Sequence, residues 1–423
     1  MRFFRDLTLA AVACFAVLLA LEGGLRVAGA HYEASLYQPE DERGYALRPG
    51  SEGWSTEEAD VYVRINSDGM RDRERPVARP PHTLRIAVVG SSEADARQVP
   101  LDRTFEAVLG RDLSARLLPA GWQADVLNFG VPGYTFSQEY LTLRNHVWKY
   151  DPQVVVFVFS AFQVLKTTRN FFPGELKGAP VYVFQDGRLV PDSITRNTPA
   201  LNAARLRWKN RLSDWMNRSR LLSLFNETRI GFHRVLAGLR PHSGSGGPSA
   251  LSKATRWSYD PGDPEIQPAW AIAEEFVRIM KEDCERHHAE FRIVVANGQA
   301  QVHPSLAERA AAQRRMQVSS LDGVDRRMED FGRANGIPVL TLSGALGEYA
   351  AAHGVYLHMP LGGTPNAGHW NEIGHEQVGH AIARDVLENS SAVAAVSSRS
   401  REVARREEPA RYHSAEIGRI QVR

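Results

Sequence analysis

Leu84-Arg85-Ile86-Ala87-Val88-Val89-Gly90-Ser91-Ser92 is the stretch whose reading decides the fold. A short, nearly continuous apolar run rich in β-branched residues marks a strand buried on both faces of a parallel sheet. Here the run passes directly into a glycine and two serines. Beyond the loop EADARQVPLD (93–102), a helical pattern runs from Arg103 to Leu117. Working outward, the alternation repeats: a strand from Asp125 to Phe129, a helix from Ser137 to Lys149, and a third strand from Val154 to Phe159. It resumes later with a helix from Ala269 to His287, a strand from Phe291 to Ala296 and a helical region from Ser305 to Ala334. A strand from Pro338 to Leu342 and a final helix from Asn371 to Leu387 complete it. Strands alternating with helices predict a three-layer α/β/α sandwich around a parallel sheet of about five strands. We place this domain at residues 81–388.

Three regions fall outside that rhythm. Residues 1–30 carry Arg2 and Arg5 and then an apolar run from Leu7 to Leu21, the pattern of an export signal. We read it as an uncleaved anchor rather than a signal peptide cut near Ala28-Gly29-Ala30. The run is short against the roughly 20 residues of an ordinary span. The two arginines place the N-terminus in the cytoplasm and the remainder outside. Residues 31–80 are expected to form an extended segment packing on the domain, and residues 389–423, rich in Ser, Ala, Arg and Glu, a disordered tail. An insertion is expected at about 165–266, closed by the linker HSGSGGPS (242–249). Within it Leu206, Leu212, Trp215, Met216, Leu222 and Phe225 recur at roughly helical spacing among Arg205, Arg207, Lys209, Arg211, Arg218 and Arg220. We read this as a helical lid with a solvated basic face in preference to a membrane-surface helix.

Composition narrows the function classes. A formal net charge of +2 over 423 residues argues against nucleic acid as a partner. Cys14 lies in the apolar run and Cys284 in a polar stretch, so a disulfide between them is not expected. His287 and His288 are adjacent and face different directions, and no carboxylate–histidine cluster has ligand spacing. Neither a metal nor a cofactor is expected.

Three blocks remain as candidates for chemistry. Ligands of an open parallel sheet bind outside the carboxyl ends of its strands, and Ser92 lies at that position after the first strand. Serine is also a common helix-entry residue. Asn128-Phe129-Gly130-Val131-Pro132-Gly133-Tyr134 follows the second strand. Glycines there allow a backbone N–H to point at a ligand, although an ordinary turn has the same composition. Gly368-His369-Trp370-Asn371-Glu372-Ile373-Gly374-His375 opens the last helix, where a histidine can reach the rim of the first strand. His375 and His380 are expected to be packing or surface residues.

The three blocks in this order resemble the SGNH (GDSL-like) hydrolase family over roughly residues 60–388. The segment Ile65-Asn66-Ser67-Asp68-Gly69-Met70-Arg71-Asp72 is similar to the one preceding the first strand in membrane-anchored members. The resemblance implies that Ser92 is the nucleophile, His369 the general base, and the N–H groups of Ser92 and Gly133 the oxyanion hole. Several positions depart from the family. Its Asp of Gly-Asp-Ser is Ser91 here, and its third-block asparagine aligns with Phe162, beside Ser160 and Gln163 as possible substitutes. The family's triad acid, two or three residues before the histidine, falls on Ala367 and Asn366, so the resemblance implies Asn366 as the third catalytic position. Glu93, Asp95 and Glu372 are the carboxylates considered as replacements.

The function implied is an extracytoplasmic serine esterase or acyltransferase, held at a bacterial inner membrane and acting on acyl or acetyl esters of a carbohydrate. The alternative is a catalytically inactive relative that binds a glycan or a partner in envelope or polysaccharide assembly. The expected partners are an acylated small-molecule or carbohydrate substrate, and the membrane through the N-terminal segment.

Overall fold

A computed structural model describes residues 2–167, 179–192, 211–238, 248–361 and 364–396. Its centre is the strand read first, β5 (Thr83–Val89), whose seven residues are all buried. Before it come two short hairpins, β1 (Tyr37–Glu40) with β2 (Gly44–Leu47), and β3 (Glu52–Ser55) with β4 (Val61–Arg64). After it come β6 (Gln123–Asn128), β7 (Val154–Phe159), the hairpin β8 (Tyr182–Gln185) and β9 (Arg188–Pro191), β10 (Glu290–Val295) and β11 (Val339–Thr341). Five of these strands form one parallel sheet in the order β6-β5-β7-β10-β11.

Alternation along each strand explains why both faces are apolar. Ala87, Val89, Leu127, Val155, Phe157 and Ile293 point to one side, against Trp270, Phe276 and Met280 of the helix Gln267–Arg286. Leu84, Ile86, Val88, Val126, Val156 and Val294 point to the other. There they meet Phe105, Leu109 and Leu113 of the helix Phe105–Leu117, and Val378, Ile382 and Val386 of the helix Glu372–Asn389. Each such side chain contributes roughly 1.5–3 kcal/mol by leaving water, so the sheet is specified on both sides at once.

The expected helical region 305–334 is two helices, Leu306–Met316 and Gly323–Asn335. The helix Ser343–His353, absent from the sequence reading, follows β11. Its apolar residues are interrupted by glycine and a run of alanines, which weakens the period that would have shown it. Within 165–266 lie the β8–β9 hairpin, a helical segment at 211–218 and the helices Arg220–Gly238 and Pro248–Trp257. Where a disordered tail was expected from 389, Asn389 ends the last helix, Ser390 is buried, and residues 391–396 are helical and bury Val393 and Val396, while residues 397–423 lie outside the described residues.

The N-terminal helix Arg2–Val27 buries none of its residues. Among the described residues it is the one helix long and apolar enough to cross a membrane. The two N-terminal hairpins sit over the loop that follows β6: Leu36, Leu47, Val61, Val63 and Ile65 share a small core with Val131 and Tyr134 of that loop. A segment upstream of the sheet therefore covers its carboxyl edge.

Candidate active site

In chain order the sheet strands run second, first, third, fourth, fifth, so the connections leave β5 in opposite directions on its two sides. The switch of direction between β5 and β7 is the place where ligands bind in such sheets, outside the carboxyl ends of the strands. Ser92 is the first residue of a one-turn helix, Ser92–Asp95, at the end of β5. Ala96 closes it with a left-handed φ of 56°, its N–H donating to the Ser92 carbonyl at 3.0 Å.

Two upstream and downstream segments hold that turn. The Asn128 side chain donates to the Ala94 carbonyl at 2.6 Å and accepts from the Gly130 N–H at 2.7 Å. Gly130 has to be a glycine because a Cβ there would collide with the backbone of Ala94 and Asp95. From the other side the buried Arg71 guanidinium donates to the carbonyls of Asp95 (2.8 Å) and Val99 (2.5 Å). Buried hydrogen-bonded networks of this kind fix geometry, since each group left unpaired would carry a desolvation cost. The role of the segment 65–72 is thereby explained: it clamps the turn that carries Ser92.

His369 reaches Ser92 from the far end of the domain. Its Nε2 lies 2.8 Å from Ser92 Oγ. The imidazole is placed by the start of the last helix, whose cap Asn371 accepts from the Gly374 N–H at 2.9 Å. Gly374 permits a close approach, because a Cβ would strike the Leu357 carbonyl. Beneath the loop, His358 Nδ1 lies 3.0 Å from the Gly368 carbonyl and its Nε2 lies 2.9 Å from Asn297 Nδ2. Asn297 in turn accepts from the Trp370 indole at 3.0 Å. Burial pulls the His358 pKa down to about 4, so it serves as a neutral strut.

The third partner of the imidazole is a residue that the sequence reading missed. Glu58, in the loop between β3 and β4, places Oε1 2.5 Å from His369 Nδ1, and its Oε2 accepts from the His369 backbone N–H at 2.9 Å. One carboxylate thus grips both the ring and the main chain of the same histidine. Burial pulls the imidazole pKa down, but the Glu58 hydrogen bond, with the charges of Glu93, Glu58 and Glu57, outweighs it and the pKa is raised. Burial likewise pushes the Glu58 carboxyl up, yet the bonds from His369 hold it below the usual carboxylate range. With Glu58 ionised, Nδ1 carries the proton and Nε2 offers its lone pair to Ser92.

The other expected positions fall as follows. Asn366 is not at the imidazole: its Oδ1 accepts from the His358 N–H at 3.2 Å and its Nδ2 donates to the Gln299 carbonyl at 3.1 Å. It shapes the loop, and Glu58 occupies the place expected for it. Asp95 is paired with Arg97 at 2.8 Å. Glu93 stays near the nucleophile, its Oε2 2.8 Å from Ser91 Oγ and 3.3 Å from Ser92 Oγ. Gly133 has a φ of 78°, and a Cβ on it would lie 2.9 Å from the Tyr45 hydroxyl. Gln163 does not substitute for the missing asparagine. Its Nε2 donates to the Tyr134 carbonyl (3.1 Å) and Glu139 Oε1 (2.6 Å), while its Oε1 accepts from the Ser160 N–H (3.2 Å). It pins the residue after Gly133 instead. His375 is fully buried against Gln98, and His380 pairs with Asp112 at 2.6 Å, as packing and surface residues do.

Comparison with known proteins gives a distant likeness in fold. No family model matches the chain, and no curated protein matches it. Among solved structures, the acetyl xylan esterase AlAXEase overlaps 71% of this chain and 99% of its own at 10% identity and a TM-score of 0.36. A catalytic mutant of an acetylxylan esterase from Geobacillus stearothermophilus overlaps 71% and 93% at 10% identity and 0.36. The lipase/acylhydrolase from Enterococcus faecalis overlaps 71% and 94% at 12% identity and 0.30. At such TM-scores the overlap is loose, and the functional reading stands on the geometry of the site.

Proposed function

We propose that the chain is a serine esterase or acyltransferase of the SGNH type, working through Ser92, His369 and Glu58. The observation that carries this reading is the unbroken relay from Ser92 Oγ to His369 Nε2 and from His369 Nδ1 to Glu58. In such a relay the serine oxygen attacks the ester carbonyl carbon as its proton passes to Nε2. The negative charge that develops on the carbonyl oxygen is received by the N–H groups of Ser92 and Gly133. Collapse expels the alcohol, which takes the proton from the imidazole. Water or a sugar hydroxyl then repeats the sequence on the acyl-serine, returning the serine hydroxyl.

Phe162 stands where the family places a third oxyanion donor, and one lost donor costs roughly 10²–10³ in kcat. The enzyme is therefore expected to be slow. A carbohydrate acyl ester as substrate is supported by the resemblance of the motif blocks. The N-terminal helix as an anchor, with the domain outside the cytoplasm, is supported by its unburied apolar surface and by Arg2 and Arg5 at its start.

A fluorophosphonate probe tests the reading directly. The full chain is expected to be labelled, and Ser92→Ala is expected to lose the label together with hydrolysis of an acetylated oligosaccharide. Labelling at another serine, or an unlabelled wild type under conditions that modify an ordinary esterase, would overturn it.

A further inference from the structure

The base of the N-terminal helix is tied to the insertion by one carboxylate. Glu22 Oε2 accepts from Ser219 Oγ and from the Leu221 N–H, both at 2.9 Å, and Oε1 accepts from the Arg220 N–H at 3.1 Å. Arg26 closes the same joint, reaching Glu22 at 2.7 Å and the Arg218 carbonyl at 2.7 Å. Helix Arg220–Gly238 is thus capped by a residue lying just past the apolar run Leu7–Leu21. If that run crosses a bilayer, the capped end sits at the depth of the headgroups on the far side.

The side chains at that depth suit a lipid surface. Trp215 is 62% exposed, Phe225 66% and Leu212 40%, with Arg211, Arg218 and Arg229 exposed among them. A soluble lid would be expected to turn such large aromatics inward. Aromatic rings with an arginine rim are instead the composition of helices that lie in the headgroup region, where the rings meet acyl chains and the cations meet lipid phosphates. The one acidic side chain of the short segment, Asp214, is engaged by Arg48 at 2.7 Å.

We propose that residues 211–218 and the helix Arg220–Gly238 rest on the outer surface of a bilayer containing anionic phospholipid. Leu212, Trp215 and Phe225 enter the boundary between headgroups and acyl chains. This inference rests on the anchor reading and replaces the solvated lid expected from the sequence. It has a consequence for the site. Asn217 bonds Ser35 and Glu52 at 3.1 and 3.4 Å, and the Arg220 guanidinium lies 5.4 Å from the centre of the Trp54 ring. These contacts hold the hairpin whose loop bears Glu58 at a fixed height over the lipid.

The test uses the full chain reconstituted into vesicles of phosphatidylcholine and phosphatidylglycerol with brominated acyl chains. The N-terminal helix contains no tryptophan, so quenching of tryptophan emission by the bromines does not come from the anchor. Trp215→Phe is expected to lose most of the quenching seen in the wild type, and Phe225→Trp added to that variant is expected to restore it. Replacing the anionic lipid by phosphatidylcholine alone is expected to weaken quenching. Equal quenching in the wild type and Trp215→Phe, in protein that floats with the vesicles, overturns this inference while the anchor stands. Quenching insensitive to the anionic lipid overturns the role given to the arginines. A chain that does not float overturns the anchor reading and this one together.

Discussion

Glu58 and His369 are 311 positions apart in the chain, yet one carboxylate of the first holds both the ring and the main-chain N–H of the second. The acid comes from a hairpin that precedes the sheet, and the base from the loop that ends the domain. Replacing Glu58 by Gln should leave the fold intact and lose the tautomer control of Nδ1. An amide for the acid in a serine-protease triad lowers kcat by about 10⁴, and a loss of similar size is expected here. Asn366→Gly is the contrasting variant. Asn366 has a left-handed φ of 55° that glycine tolerates, so the substitution removes loop hydrogen bonds, worth about 1–3 kcal/mol of stability when buried groups are left unpaired, and spares kcat. A preserved kcat in Glu58→Gln would remove Glu58 from the relay, and a loss in Asn366→Gly as large as that in Glu58→Gln would show that disturbing the loop alone accounts for it.

How much of this was legible follows from the physics of each signal. The strand Leu84–Val89 and its companions are visible because burial on both faces demands nearly continuous apolar runs. Ser92 and His369 are visible because their positions are tied to the ends of regular elements. Glu58 is tied to nothing local. Its neighbours Glu57 and Asp60 share its acidity, and long-range packing such as that of Val61 and Val63 on Val131 and Tyr134 carries its loop to the rim. No spacing rule in one sequence encodes that placement. A weak signal was present: two four-residue strands flanking an acidic loop, just upstream of the block at 65–72.

The raised pKa of His369 fixes the sign of the pH dependence. The base works only when neutral, so kcat/KM should rise with pH through the imidazole pKa and level off above it. Glu58→Gln removes the hydrogen bond that holds the value up while burial still pulls it down, so the acid limb should move to lower pH. Glu93→Gln should move it the same way by less. The same shift stabilises the fold in the opposite sense. Its contribution is fully present below the unfolded histidine pKa of about 6.5 and is lost as pH rises through the folded value. Rate profiles and urea midpoints measured on the same samples would separate the two. An acid limb that does not move in Glu58→Gln would show that His369 is not the titrating base.

Gly368 tests the geometry without touching a reacting group. A Cβ at that position would lie 2.6 Å from Glu58 Oε2 and 3.1 Å from Met359 Cβ. The carboxylate is the movable end of a side chain, so Gly368→Ala should push it off the His369 N–H rather than unfold the loop. A misplacement of about 1 Å in a catalytic arrangement costs on the order of 10² in rate. The expected result is a kcat loss of that order with Tm nearly unchanged and Ser92 still labelled by the phosphonate. A large fall in Tm with kcat preserved would mean that the glycine serves packing alone.

Glu106 offers a stability test away from the site. It lies in the first turn of the helix Phe105–Leu117 and is buried. Burial pushes its pKa up to about 8 against the opposing pull of its own backbone N–H, the Thr104 hydroxyl and the Arg71 charge. The folded protein therefore keeps a proton that the unfolded chain releases above about 4.3. Stability should fall as pH rises between those values, with a slope of up to about 1.4 kcal/mol per pH unit from this group. Glu106→Gln cannot titrate, so its urea midpoint should match the wild type near the acid end of the window and exceed it increasingly toward pH 8. An ionised Glu106 paired with the fully buried Arg71 would give the reverse, a variant less stable than the wild type at every pH above the acid range. Because Arg71 also clamps the turn bearing Ser92 through the Asp95 and Val99 carbonyls, that outcome would be accompanied by a fall in kcat. The neutral form predicted here leaves activity unchanged.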